Sequence, residues 1–171
     1  MSAIEKLIEE REIHFIPAVV GFALKDHEVL LGVRKKSSLG LGENLLAGIG
    51  GKVGDEVGFE NENFEEAMIR EAHEEIGIEI KTLVDMGRVR FVFPHKPKWN
   101  LDTRVYQIHH WEGKPVETDA IKPFWYPKNQ LPNEQMWKDN ALWVPKVLMN
   151  EKINALFIYN EKNEVVEYLF E

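Results

Sequence analysis

The sequence predicts an α+β fold in which a mixed central β-sheet lies between helices and carries additional β-hairpins. Its length of 171 residues suits a single domain. A hydrophobic content of 44% is ordinary for a folded protein. Most segments between turn signals are short apolar runs typical of strands, whereas two stretches repeat apolar residues at helical spacing. We therefore expect one domain over residues 1–171.

The first third of the chain predicts a short helix followed by a β-hairpin and two loops. Ile4, Leu7 and Ile8 share one face of the predicted helix. Glycine and serine clusters indicate the loop that follows the hairpin, and the run GIGGKV indicates a strand whose backbone lies close to another group. In order, we expect a helix over 2–11, strands over 14–24 and 29–35, a loop over 37–44, a short strand over 48–53 and an acidic loop over 54–61.

The strongest helix signal lies in residues 63–76. Phe64, Met68, Ala72 and Ile76 recur every four residues, and the glycine that follows occupies a position where helices commonly end. Beyond it we expect strands over 78–83, 87–94, 101–111 and 121–126, a second amphipathic helix over 133–148 with Pro145 as a candidate break, and a closing hairpin of 153–159 and 164–170. A mixed sheet flanked by two main helices is the packing that this order favours.

The composition excludes several classes of protein. The absence of cysteine excludes a disulfide scaffold, a thiolate metal site and a cysteine nucleophile, and it suits a reducing compartment. No apolar run approaches the roughly 18–20 residues that span a bilayer, and the acidic N-terminus lacks the features of a secretory signal. The net charge of -8 argues against a duplex-binding surface. We expect a cytoplasmic protein with no membrane or duplex nucleic-acid partner.

Three glutamates form the main chemical feature of the predicted helix. Glu71, Glu74 and Glu75 stand at i, i+3 and i+4, which places them on one helical face, opposite the apolar one. Like charges so close destabilise a helix, whereas Mg²⁺ prefers carboxylate oxygens and retained waters. The alternative is an ordinary solvated acidic face, because glutamate is a good helix former. The glycine-rich turn upstream favours the metal site.

Residues 50–78 resemble the Nudix box, G-x5-E-x7-R-E-U-x-E-E-x-G-U, in which U is apolar. The second half of the pattern matches at Glu62, Arg70, Glu71, Ala72, Glu74, Glu75, Gly77 and Ile78. The first half departs from it, because ten residues separate Gly51 from Glu62 where the pattern has five. The additional residues fall in loop 54–61, where an insertion costs little free energy. We interpret this segment as a Nudix box with an enlarged loop.

The resemblance implies a Nudix fold and hydrolysis of a nucleoside diphosphate linked to another group. It implies that the three glutamates bind Mg²⁺, with Mn²⁺ as a substitute, helped by a carbonyl of Gly50 or Gly51. Arg70 and Glu62 would complete the catalytic set as the pair that holds loop to helix. The metals would neutralise phosphate charge and lower the pKa of a bound water, which would attack phosphorus in line.

Residues from about 19 to 170 further resemble the branch that hydrolyses oxidised purine nucleoside triphosphates of the 8-oxo-dGTP type. The segments that carry this resemblance are 29–35 (VLLGVRK), 113–119 (GKPVETD) and 135–140 (QMWKDN). It implies that Trp137 stacks on the base and that Asp139 hydrogen-bonds its edge. Phe91, Leu101 and Trp143 match other pocket positions. Without the resemblance, Trp137 would be assigned to the core and Phe91 to a core-facing strand position.

The sequence departs from that branch at three positions. Asn140 replaces a second pocket aspartate, and an amide can both donate and accept a hydrogen bond. Ala47 aligns with a pocket asparagine, for which Asn44 is a candidate replacement. Ala120 aligns with a glutamate that has metal or base duty, and the candidate auxiliary acids or bases are Asp119 and Glu117.

Two further groups of charged residues have open assignments. Arg34 and Lys52 either contact phosphates or are solvated, with equal weight. The acidic side chains of loop 54–61 are interpreted as a solvated surface rather than a cation site.

The resulting hypothesis is a monomeric, Mg²⁺-dependent pyrophosphohydrolase that cleanses the nucleotide pool. Its substrate would be a purine (deoxy)nucleoside triphosphate, foremost 8-oxo-dGTP or a related oxidised nucleotide, and its products a monophosphate and pyrophosphate. Within the family, the alternatives are undamaged dGTP, a nucleotide sugar, a dinucleotide and triphosphate RNA ends. A second alternative is a catalytically silent nucleotide-binding module, against which the intact glutamate set argues.

Overall fold

A computed structural model describes residues 1–35 and 43–171. The predicted loop 37–44 falls mostly outside these residues. The α-helices of the described part are α1 (Ala3–Glu10), α2 (Phe64–Ile76) and α3 (Asn140–Leu148). The strands there are β1 (Ile16–Lys25), β2 (Glu28–Arg34), β3 (Leu46–Ala47), β4 (Ile49–Lys52), β5 (Glu79–Val92), β6 (Leu101–Glu112), β7 (Ile121–Pro127), β8 (Ile153–Tyr159) and β9 (Val165–Phe170). None of the helices in this part of the chain is long and apolar enough to cross a membrane.

The strands form a mixed sheet with the order β3-β2-β1-β6-β5-β8-β9, in which β4 also pairs with β1 and β7 with β2. The pairs β1–β6 and β5–β8 are parallel and the others are antiparallel. Side chains alternate across β1, so that Phe22 packs with α3 and its neighbour Ala23 packs with α2. Helices therefore cover both faces of the sheet, as the sequence predicts.

Helix α2 begins and ends where the sequence predicts. Asn63 and Glu66 form a capping box, in which each side chain accepts a hydrogen bond from the other residue's backbone N–H. Gly77 ends the helix in the left-handed conformation, with φ of 72°. The apolar face packs on the sheet through Met68, Ala72 and Ile76. This docking holds the opposite face of the helix beside β4.

The two strands predicted over 78–83 and 87–94 are one continuous strand, β5. Irregular register at three points, the last between Asp85 and Gly87, lets the strand continue where the sequence indicates a break. Gly87 has a φ of 103°, and its N–H donates to the Asp85 carboxylate. A Cβ at this glycine would lie 1.9 Å from the Ile153 carbonyl oxygen. The glycine therefore marks a bulge, not a strand end.

The helix predicted over 133–148 is shorter than expected. Only Asn133–Gln135 forms a 3-10 turn, Met136 is extended, and α3 begins at Asn140. Because Met136 is extended, the helical hydrogen bonds are interrupted there, and residues 136–139 form a separate segment before α3. Pro145 lies inside α3 rather than breaking it. Proline has no N–H to donate to the Ala141 carbonyl four positions earlier, but Ala141 is exposed, so water can serve as the donor.

Candidate active site

A cavity of about 400 Å³ opens between β1, β4 and the start of α3. One end is aromatic and the other is charged. Phe91, Phe93, Leu101, Trp137, Asp139, Asn140, Trp143 and Tyr159 line the aromatic end. Arg34, Gly50, Gly51, Lys52, Asp55, Glu56 and Glu71 line the charged end. Such a division suits a ligand with a flat apolar part and a charged part.

Stacked rings form the wall of the aromatic end. The rings of Phe93 and Tyr159 lie parallel, with centroids 4.4 Å apart. Trp137 meets both edge-on, at 6.1 Å from Phe93 and 5.8 Å from Tyr159. These contacts fix the orientation of the rings. Trp137 is half-buried, so it both packs on the core and faces the cavity, which reconciles the two assignments that its sequence context allows.

A buried carboxylate lies at the base of this aromatic end. Asp139 is only 2% exposed, and it accepts hydrogen bonds from the Tyr159 hydroxyl and from Trp143 Nε1, the latter at 2.8 Å. Burial raises the pKa of Asp139, although both hydrogen bonds oppose that rise. Its neighbour Asn140 donates from its side-chain amide to the Trp137 carbonyl at 3.1 Å. The backbone turn thus couples Trp137 to both polar residues.

The charged end is organised around Arg70, which is buried. Its Nε and Nη2 donate to the two oxygens of Glu62 at 2.8 and 2.7 Å. Oε1 of Glu62 also accepts from the Gly54 N–H, and Arg70 Nη2 reaches the Lys52 carbonyl. The guanidinium lowers the pKa of Glu62. The pair therefore holds α2, β4 and loop 54–61 together.

Three more carboxylates share the remaining nitrogen of Arg70. Nη1 lies 3.1 Å from oxygens of Glu71 and Glu74 and 3.3 Å from Glu56. Oxygens of these three glutamates all lie within 4.8 Å of one another. Burial, followed by repulsion from Glu74, raises the pKa of Glu56. This concentration of acidic oxygens on one guanidinium leaves an excess of negative charge.

Glu75 is buried, whereas the sequence predicts that it points outward with its neighbours. Glu75 is 4% exposed, and neither of its carboxylate oxygens has a hydrogen-bond partner among the described residues. The nearest cation is Arg34, at 3.7 Å, which also donates to the Gly50 carbonyl. Burial holds the pKa of Glu75 well above its usual range. Unpartnered buried carboxylate oxygens beside Glu71 are the donors that a hard divalent cation prefers, so the residues present fit such an ion.

The glycines of β4 allow the backbone to approach its neighbours closely, as the sequence predicts. A Cβ at Gly50 would lie 1.9 Å from the Val19 carbonyl oxygen of β1. A Cβ at Gly51 would lie 2.3 Å from Glu71 Oε1. Gly50 is therefore required for the strand to fit against β1, and Gly51 lets the Glu71 carboxylate lie close to β4.

Most residues singled out in the sequence meet at this cavity, but three do not. Residues that line it are Arg34, Ala47, Gly50, Gly51, Glu71, Phe91, Leu101, Trp137, Asp139, Asn140 and Trp143, with Glu62, Arg70, Glu74 and Glu75 in the adjoining network. Asn44 instead lies in an exposed turn with a φ of 64°. Glu117 is exposed and pairs with Lys35 at 2.8 Å, and Asp119 is exposed. The geometry gives none of these three a place in the cavity.

Phe93, Tyr159 and Glu56 are among the cavity residues that lie outside the set predicted from the sequence. Phe93 and Tyr159 stand at or just beyond the ends of the parallel strands β5 and β8, so only the tertiary pairing brings their rings together. Glu56 belongs to the loop interpreted as solvated; its side chain is 47% exposed, and it also lines the charged end. The unusual length of the loop is a sequence signal that could have drawn attention to Glu56. The direction in which the Glu56 side chain points, however, depends on how the loop folds.

Comparisons with known proteins agree with this geometry. A family model described as NUDIX domain matches residues 14–147. An oxidized purine nucleoside triphosphate hydrolase of Danio rerio is 33% identical over 140 residues, which cover 82% of this chain and 84% of that protein. The protein of the same description from Mus musculus is 30% identical over 145 residues, which cover 85% and 87%.

Solved structures support the fold. A mutator MutT protein from Bacillus halodurans superimposes with a TM-score of 0.71 over 92% of this chain and 98% of that one. At 20% sequence identity, that likeness supports the architecture alone. The family model covers most of the chain, and both relatives align over more than four-fifths of it. The chain therefore belongs to the Nudix family of hydrolases.

Proposed function

We propose that this Nudix hydrolase is a Mg²⁺-dependent pyrophosphohydrolase of purine nucleoside triphosphates, with 8-oxo-dGTP or a related oxidised nucleotide as its foremost substrate. The observation that carries the proposal is the two-ended cavity, with stacked rings and a buried carboxylate at one end and an acidic cluster at the other. The relatives described as oxidized purine nucleoside triphosphate hydrolases support the same substrate class.

The aromatic end provides the means to bind a purine. Trp137 offers a flat surface for stacking, held at right angles to Phe93 and Tyr159. An ionised Asp139 accepts hydrogen bonds only, and the two donors that hold it are Tyr159 and Trp143. A guanine-type base presents two adjacent N–H donors, N1–H and the 2-amino group, to such an acceptor, whereas adenine presents its 6-amino donor beside N1, which is itself an acceptor. This match favours guanine-type over adenine-type bases.

The charged end provides the means to bind a triphosphate. Glu71, Glu74 and Glu75 would hold Mg²⁺, or Mn²⁺ in its place, which when bound supplies charge neutralisation and a more acidic water. Arg34 and Lys52 line the same end and add positive charge beside the phosphates. Arg70 fixes Glu71 and Glu74 through one nitrogen, so it acts as a positioning residue.

Attack of water on phosphorus in line with the departing pyrophosphate would give the nucleoside monophosphate and pyrophosphate. The step needs no covalent bond to the protein. The residues of the chain therefore contribute by orienting the triphosphate between the acidic cluster and the side chains of Arg34 and Lys52. Their rigid placement, through the Arg70–Glu62 pair and the close approach of β4, supplies that orientation.

We further propose a single domain over residues 1–171 that acts as a cytoplasmic monomer in cleansing the nucleotide pool. The two ends of the chain contact each other, because the Glu171 carboxylate accepts a hydrogen bond from the Ile4 N–H. Helix α1 packs its apolar face on β5 and β8, which supports its inclusion in the same domain. The lack of cysteine suits a reducing compartment.

The test of this proposal is turnover of purine nucleoside triphosphates with Mg²⁺ and with EDTA, with products identified by mass. We expect metal-dependent release of monophosphate and pyrophosphate. Glu74→Gln should fold normally, because that side chain is partly exposed, and should lower kcat by about two orders of magnitude or more. Turnover in EDTA, or near-normal turnover by Glu74→Gln, would contradict the metal assignment. Absence of turnover with binding retained would favour the silent module.

A further inference from the structure

The enlarged loop 54–61 is exposed to solvent, but Glu56 and Phe59 both contact Arg70 of α2. The first residue of the loop is held in place because the Gly54 N–H donates a hydrogen bond to the Glu62 carboxylate at 3.0 Å. Within the loop, the Phe59 N–H donates to the Glu56 carbonyl at 3.0 Å. The Phe59 ring lies over the Arg70 guanidinium, with 5.4 Å between the ring centroid and Cζ. These contacts fix the backbone of Glu56 beside the buried guanidinium.

The side chain of Glu56 points at the charged end of the cavity. It lines the cavity, and its Oε1 lies 3.3 Å from Arg70 Nη1, the nitrogen that Glu71 and Glu74 also contact. Oxygens of the three glutamates lie within 4.8 Å of one another, so one small ion can reach all three after minor movement. Glu62 is not available to such an ion, because both of its carboxylate oxygens accept hydrogen bonds from Arg70.

We propose that Glu56 is a further ligand of the divalent cation, supplied by the enlarged loop to the glutamates of α2. The proposal rests on the metal site of the proposed function. It is independently supported by Glu75, whose two buried oxygens have no hydrogen-bond partner among the described residues and which lies beside Glu71, a member of the same acidic cluster. A hard cation bound at Glu71 would offset the negative charge both of Glu75 and of the four carboxylates that surround Arg70.

The proposal assigns a purpose to the additional length of the loop. Helix α2 alone presents its glutamates from one side of the ion. A carboxylate from loop 54–61 comes from a different element, and Mg²⁺ would gain one more carboxylate oxygen, the donor that it prefers. The simpler role for Glu56 is an exposed ion pair with Arg70, for which neither the reach nor the exact position of its oxygens matters.

The experiment measures binding of Mn²⁺ alone to the full-length protein, by the loss of the free-ion signal in electron paramagnetic resonance, and of Mg²⁺ by calorimetry. Glu56→Gln should weaken binding by about tenfold or more, or lower the number of bound ions. Glu60→Gln is the matched control, because Glu60 is an exposed carboxylate of the same loop that bonds only the Gly58 N–H among the described contacts. It should change affinity by less than about twofold.

Glu56→Asp separates ligation from charge. It keeps the negative charge but withdraws the oxygens by one methylene, so it should weaken binding as Glu56→Gln does. Wild-type affinity and stoichiometry in Glu56→Gln, or in Glu56→Asp, would overturn the proposal. The variant Glu71→Gln distinguishes a failure of the Glu56 proposal from a failure of the proposed function. If Glu71→Gln loses the ion and Glu56→Gln keeps it, only the role of Glu56 fails; if Glu71→Gln also keeps it, the metal site itself fails.

Discussion

Arg70 and Glu62 form a two-point ion pair, with Nε–Oε2 and Nη2–Oε1 distances of 2.8 and 2.7 Å. Their side chains are only 6% and 4% exposed. Because this pair uses one side of the guanidinium, the remaining nitrogen, Nη1, stays free to face the carboxylates of the cavity. The buried Arg70 thus both anchors the end of loop 54–61 through Glu62 and holds the carboxylates of the acidic cluster in position.

Glu62→Gln should lower the free energy of unfolding by about 3 kcal/mol at neutral pH, because it leaves a buried guanidinium with a weaker partner. The pKa of Glu62 is lowered in the folded protein. The contribution of its charge is therefore present above the unfolded pKa of about 4.3 and is lost as the pH falls through the lower folded value. Urea unfolding of both proteins from neutral to acidic pH checks this. Equal stabilities at neutral pH would show that the pair contributes nothing.

Gly51→Ala should fold but lose activity, because its Cβ would lie 2.3 Å from the Glu71 carboxylate, which can move. Gly50→Ala should fail to fold stably, because its Cβ would lie 1.9 Å from the Val19 carbonyl oxygen, which is fixed in β1. Thermal unfolding and kcat measured on both variants check the contrast. Full activity of Gly51→Ala would mean that the position of Glu71 does not matter for turnover.

Asp139 should set an acidic limb in the pH profile of kcat/KM for a guanine-type substrate. Its pKa is raised by burial, and only the ionised form is a pure acceptor, so kcat/KM should fall as the pH drops through that raised value. The hydrogen bond from Tyr159 opposes the rise. Tyr159→Phe should therefore move the limb to higher pH while leaving the stack on Phe93 in place. A limb that stays at the same pH would exclude Asp139 as the titrating acceptor.

Asn140→Asp should change the preference between oxidised and normal guanine by about fivefold or more, equivalent to about 1 kcal/mol. The Asn140 amide donates to the Trp137 carbonyl, and an ionised aspartate cannot. The exchange therefore alters both the hydrogen-bonding character of the pocket and the turn that carries Trp137. Ratios of kcat/KM for 8-oxo-dGTP and dGTP measure the effect. An unchanged ratio would mean that Asn140 does not contact the base.

Local patterns in the sequence were sufficient for the helix that carries the acidic cluster. The four-residue repeat of apolar side chains and Gly77 both act within a few residues of chain, and α2 agrees with the predicted bounds to within one residue. The glycine pattern of β4 was likewise interpretable, because a close approach leaves no room for a side chain. Its partners, Val19 and Glu71, became known only from the pairing of β4 with β1 and from the docking of α2.

The parts that sequence patterns missed depend on contacts between distant segments. Burial of Glu75 arises from the packing of α2 on the sheet near Arg34, which periodicity cannot reveal. The continuity of β5 depends on a bulge at Gly87, whose local signal resembles a turn. Apolar periodicity over 133–148 predicted helix throughout, but the extended Met136 belongs to the segment that places Trp137 and Asp139 at the cavity.

The most direct test of the account is kcat/KM for 8-oxo-dGTP and dGTP, measured side by side with Mg²⁺ and with EDTA and with products identified by mass. The account predicts Mg²⁺-dependent release of pyrophosphate and a preference of about tenfold or more for the oxidised base, equivalent to about 1.4 kcal/mol. Equal rates or a preference for dGTP would contradict the assignment of an oxidised substrate. Absence of turnover of both would contradict the purine triphosphate assignment and direct the search to nucleotide sugars, dinucleotides and RNA ends.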